Sequence, residues 1–439
     1  MPDASPAPPA TAERLLSRFA IQYLTVAWVR ILSIAAVFVY AQWLAERALG
    51  SFFLAVAAFE VVAVLTDLGL SPYAAERTAN NGADSRSVLA HAPRVRLAGA
   101  LLYMAVLLAA WGFAGYAPAV PMLILAVALL PYALVLNARA YWQGRRRIRA
   151  LQAASVIGNT VGPLAGILAA GMGAGVLGVA AAFSLSFWVE WALTLRWCRP
   201  EPPHADDRQF WSPSAFLTPA RADASAPPGA ALVRRALPFG LFTIVWFAYL
   251  RMDLFLIESM APGRLAAYGF CLKLYTAALS FLQGGLLVAL TDSRRIHDVW
   301  RRIPIPGPYL FLLSLAVLQS IAIWGPKALV TLLPPAYAGI EIPCRTLIYS
   351  GVAHAGVLVL GTLALGTGLR CGRAVWALLL IGIGLVFCLA RLEMLWFDAV
   401  WPSWNRLFVD VCLLLVLLWM LRRERADGPT PPARDGARA

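Results

Sequence analysis

The sequence predicts an all-α, polytopic membrane protein with about twelve transmembrane helices in two six-helix halves. Three observations carry this: the composition, the recurrence of long apolar tracts, and the placement of arginine. Of 439 residues, 60% are hydrophobic and 14% charged, whereas a soluble domain carries roughly 25% charge. A spanning helix needs roughly 20 mostly apolar residues. Tracts of that kind recur along the chain, and no hydrophilic stretch is long enough for a separate soluble domain.

Taken in order, the first six tracts lie at about 19–43, 50–71, 95–116, 119–142, 150–171 and 175–197. A polar stretch rich in Pro, Asp and Arg follows at 198–235. Six more tracts lie at about 236–260, 265–290, 306–332, 344–368, 374–396 and 405–422. The expected organisation is therefore a disordered cytoplasmic N-terminus (1–18), an N-terminal six-helix bundle (19–197), a cytoplasmic linker (198–235), a C-terminal six-helix bundle (236–422) and a disordered cytoplasmic tail (423–439). The lead-in MPDASPAPPATAERLLSR reads as polar chain ahead of a retained helix, not as a signal peptide.

Arginine sets the orientation. The formal net charge is +14, and only Lys273 and Lys327 are lysines among 37 basic residues. Arg runs occupy the N-terminus and every second loop: Arg14 and Arg18; Arg77, Arg86, Arg94 and Arg96; Arg145–Arg147 and Arg149; Arg196 to Arg235; Arg294, Arg295, Arg301 and Arg302; Arg370 and Arg373; Arg422, Arg423 and Arg425. The intervening loops hold isolated cations such as Arg47, Arg264 and Lys327. The positive-inside rule places the basic set and both termini in the cytoplasm, and an even helix count follows. The same pattern points to anionic membrane lipids as neighbours and excludes nucleic acid as a partner. The six cysteines form no close pair with metal-ligand spacing, so neither a metal nor a cofactor is expected. No phosphate-cradling Gly loop with its Lys is present, which excludes an ATPase.

Charges inside the helices are the candidate site, because each costs roughly 2.5–3.5 kcal/mol at bilayer depth and normally faces the bundle interior. Arg30 and Glu60 sit near the middles of spans 1 and 2, and folding back the hairpin brings them within one helical turn. Asp67 lies two turns beyond Glu60 on the same face. Arg251 and Asp253 point roughly 200° apart on span 7. Lys273 lies at the depth of Asp253, which makes an Asp253–Lys273 pair the simplest neutralisation and leaves Arg251 without an evident partner. These may be read as structural ion pairs or as a cationic cavity of Arg251, Arg30 and Lys273, with Glu60, Asp67, Asp253 and His354 as pairing or coupling groups. A guanidinium grips phosphate oxygens with two parallel hydrogen bonds, which points to an anionic ligand. Asn159, Thr160 and Pro163 mark either a kink in span 5 or polar groups bonded to nearby backbone. Glu190 either seals the cytoplasmic end or offsets Arg196.

Two hairpins carry a resemblance. Leu49-Gly50 with Phe53, ending in Asp67-Leu68-Gly69-Leu70, is similar to the opening of Wzx-type polysaccharide flippases of the multidrug/oligosaccharidyl-lipid/polysaccharide (MOP) exporter superfamily. Tyr249-Leu250-Arg251-Met252-Asp253 followed by Tyr268 and Lys273-Leu274-Tyr275 resembles the start of that family's second half. The resemblance implies a MATE/MOP-like fold in the bacterial inner membrane. It implies movement of an undecaprenyl-pyrophosphate-linked oligosaccharide from the cytoplasmic to the periplasmic leaflet, for O-antigen, lipopolysaccharide or exopolysaccharide synthesis. A polysaccharide polymerase machinery is an implied partner, and a monomer is expected. The long Pro-rich linker departs from the family pattern. A multidrug cation antiporter is the alternative, disfavoured by the excess of cations within the spans. A polytopic polymerase or ligase is disfavoured because the long polar stretch falls on the cytoplasmic side; no enzyme is expected.

Overall fold

The computed structural model describes residues 10–79, 85–145, 149–198, 205–217, 229–291, 323–366 and 402–426, with fragments of 381–389. Among them every regular element is helical. Helix α1 is Ala10–Trp43, α2 Glu46–Asp67, α3 Leu70–Ala79, α4 Ser85–Ala114, α5 Ala119–Val127, α6 Leu129–Gly144, α7 Arg149–Gly171 and α8 Gly175–Trp197. A 3-10 turn, Ala205–Trp211, leads to the short α9 at Ser214–Leu217. Then come α10 (Gly229–Met260), α11 (Leu265–Thr291), α12 (Glu341–Gly366) and α13 (Pro402–Ala426).

Four of these are long and apolar enough to cross a membrane: α2, α4 over Arg86–Ala114, α7 and α8. A fifth span follows if α5 and α6, bent by 41° at their junction, count as one. The sequence reads that region as a single helix. Pro131 accounts for the break, since its ring clashes with the carbonyl of residue 127 and it offers no N–H. The expected spans at 306–332 and 374–396 fall mostly outside the described residues. Helix α1 begins at Ala10 instead of 19, and α13 runs to Ala426, past 422.

The chain parts into two compact units. One is Met1–Ala277 with Leu329–Ile340; the other is Ala278–Ala328 with Glu341–Ala439. In the first unit, small residues let helices approach closely, as membrane interfaces favour. A Cβ on Gly158 would lie 2.8 Å from Glu190 Cβ on α8, and one on Gly162 would lie 2.7 Å from Ser186 Cβ. Gly50 of α2 meets Leu265 and Ala266 of α11, and Gly269 meets Phe53. The two hairpins singled out by sequence thus pack on each other.

The Asp67-Leu68-Gly69-Leu70 turn ends α2. Leu68 adopts φ 49° and donates its N–H to the Val64 carbonyl. Gly69 follows at φ 80°, a left-handed conformation that glycine adopts at little cost. A side chain there would also collide with the backbone of α10 at Gly240.

Candidate functional site

The mid-span charges of the first unit converge. Arg251 on α10 forms an ion pair with Glu60 on α2. Burial is incomplete, with 11% of the Arg251 side chain and 24% of the Glu60 side chain exposed. The contact lacks hydrogen-bond alignment, because the buried Arg251 Nε and Glu60 Oε2 have no hydrogen-bond partner among the described residues. Arg30 on α1 feels the charges of Glu60 and Arg251. Lys273 on α11 feels those of Glu60, Arg30 and Arg251. Among the described residues, four helices therefore bring three cations to one carboxylate, a formal excess of two positive charges.

This arrangement revises one sequence expectation: Arg251 does have a partner, Glu60, whose charge also acts on Arg30. Asp253 is fully buried and its Oδ2 accepts a hydrogen bond from the Tyr268 hydroxyl at 2.6 Å. The charge of Glu60 also acts on Lys273. Helical periodicity did place Arg251 and Asp253 on opposite faces, as found.

Asp67 belongs elsewhere. Its Oδ1 accepts from Arg96 Nε at 2.9 Å and Nη2 at 2.6 Å. Arg96 also donates to Ser71 Oγ, the Ala133 carbonyl and Asn137 Oδ1. The sequence counts Arg96 among loop cations that signal topology; it is instead 1% exposed. Glu190 pairs with Arg139 at 2.5 Å, not with Arg196, and Arg139 also donates to Ser155 Oγ at 3.2 Å. Arg139, Asn137 and Asp410 were readable as charged or polar groups inside spans, the same signal that singles out Arg30.

The Asn159 and Thr160 side chains donate to the carbonyls of Ser155 and Val156, one turn back in an unbroken α7. The backbone-bonded reading holds for both. In the second unit, His354 Nδ1 lies 3.0 Å from Asp410 Oδ1, and Ser350 donates to Asp410 Oδ2 at 2.5 Å. All three are wholly buried, as is Arg406 one turn before Asp410. Among the described residues no group of three His, Cys, Asp or Glu could hold a metal ion.

No protein-family profile and no curated protein matches the sequence. Solved structures do. A multidrug-resistance MATE family transporter of the MOP superfamily, in an inward-facing conformation, superposes with a TM-score of 0.63 at 15% identity, over 93% of this chain and 98% of that one. A MOP superfamily transporter from Pyrococcus furiosus, described as having a binding pocket of reversed polarity that suggests a different function, gives 0.59 at 15% identity over 95% and 96%. The fold is that of MOP-superfamily transporters. Within the MOP fold, an outward-facing MATE transporter gives 0.55 at 16% identity over 95% and 96%. A shared fold does not fix what a site binds, so the architecture alone assigns no ligand to the Glu60 cluster.

Proposed function

We propose that the chain is a flippase that carries an undecaprenyl-pyrophosphate-linked oligosaccharide from the cytoplasmic to the periplasmic leaflet of a bacterial inner membrane. The supporting observation is the charge balance of the Glu60–Arg251–Arg30–Lys273 cluster. Among the described residues Glu60 offsets one cation and leaves two in excess within the spans, a costly state that an anionic ligand relieves. A pyrophosphate supplies that charge, and Arg251 retains an unbonded Nε to receive an oxygen. The sugar would cross with the pyrophosphate while the polyprenyl tail stays in lipid, through alternating exposure of the cluster to the two leaflets. The basic loops and both termini then face the cytoplasm.

The second reading, a multidrug cation antiporter, is favoured by the MATE transporters among the structural neighbours. Deletion of the gene separates the two. Lipid-linked intermediates accumulating on the cytoplasmic leaflet, with surface polysaccharide lost, is the expected result. Normal polysaccharide with raised sensitivity to cationic dyes would overturn the flippase reading in favour of drug efflux.

A further inference from the structure

The Pro-rich linker departs from the family pattern, and its centre is part of a packed core. Phe210 and Trp211 are buried, and Trp211 is wholly so. The Trp211 ring lies 5.1 Å from that of Tyr141 and 6.4 Å from that of Trp142. Ala215 joins the same cluster, with Tyr73 of α3, Leu89 of α4 and Leu134 of α6. Three hydrogen bonds tie the segment down. Asn137 Nδ2 donates to the Phe210 carbonyl at 2.9 Å, Trp191 Nε1 donates to the Trp211 carbonyl at 3.1 Å, and Arg208 donates to the Leu195 carbonyl at 2.8 Å.

Asn137 is in turn held by Arg96 at 2.6 Å, and Arg96 by Asp67. The relay therefore runs from the turn after α2, through α4 and α6, to the linker. The start of α10 is fastened to the same place. Leu232 and Ala236 lie in this core, and Gly240 abuts the Leu68–Gly69 backbone so closely that a Cβ would collide with it.

We infer that residues 205–217, with the Asp67–Arg96–Asn137 relay, form a clamp that fixes the linker and the entry of α10 to the first bundle.

Hydrogen–deuterium exchange on the full chain in lipid nanodiscs tests the clamp. The clamp predicts that amides of 205–217 exchange far more slowly than those of a free peptide. Asn137→Leu should speed them about tenfold, the scale of losing buried hydrogen bonds, while α7 and α8 keep their rates. Should that variant not fold, Arg208→Ala, at an exposed bond, should loosen 205–217 alone. Free-peptide exchange of 205–217 in the parent protein would overturn the clamp. Undecaprenyl pyrophosphate should leave 205–217 protected; exposure of 205–217 on its addition would overturn the clamp.

Discussion

Arg96 and Arg251 both meet one acid inside the first unit, and they are built for different ends. Arg96 is 1% exposed and donates to Asp67, Ser71, Asn137 and a backbone carbonyl. Its charge is matched and its donors are used. Among the described residues Arg251 pairs with Glu60 without hydrogen-bond alignment, keeps an unbonded Nε, and shares that acid with Arg30 and Lys273. A satisfied buried pair stabilises; under the proposed function, a partly exposed pair with cations in excess is the one open to an anionic ligand. Counting donors and charges around each arginine separates the two roles where counting arginines in loops cannot.

The strongest challenge to this contrast is to remove one arginine at a time. Arg96→Leu strands Asp67 and Asn137 in a buried setting and should cost about 3–5 kcal/mol, enough to lose most folded, monodisperse protein in detergent. Arg251→Leu should leave the melting temperature within a few degrees of the parent while translocation of the lipid-linked sugar falls about 10- to 100-fold, the value of charge-assisted hydrogen bonds of about 1.5–3 kcal/mol. Equal thermal losses in the two variants would erase the distinction. Next in size is Gly158→Val, which drives a side chain into Glu190 and the Ser186 carbonyl. It should destabilise by about 1–3 kcal/mol, read as a lower melting temperature, with no change in ligand preference. The smallest effect belongs to Glu341→Gln, because the Glu341–Arg345 pair is more than a third exposed on both sides. A melting curve indistinguishable from the parent is expected.

Much of the architecture was legible because apolar length and turn chemistry are local. Predicted 175–197 coincides with α8, and 150–171 is one residue short of α7. The bend at Ala128 was written in Pro131 but hidden by an apolar tract continuous on both sides. At the site, depth was legible and partnership was not. Folding hairpins about their turns gives the level of Arg30, Glu60 and Lys273, whereas which helix faces which is set by tertiary packing. For that reason the sequence brings Glu60 to Arg30 but does not show that Arg251 shares it. Arg96 was misread because α4 starts ten residues before its apolar core and carries the cation inward. The burial of Phe210 and Trp211 was obscured by the Pro and Asp around them.

The central claim, that the excess charge around Glu60 receives a pyrophosphate, is tested most directly by translocation of an undecaprenyl-pyrophosphate-linked oligosaccharide in proteoliposomes. The parent protein, Arg251→Ala and Arg251→Lys should be compared at equal folded content. The account predicts transport by the parent, loss of about 10-fold or more in Arg251→Ala, and partial recovery in Arg251→Lys, which restores the charge without the two-pronged grip. Undiminished transport by Arg251→Ala, with Arg251→Lys no different, would contradict it.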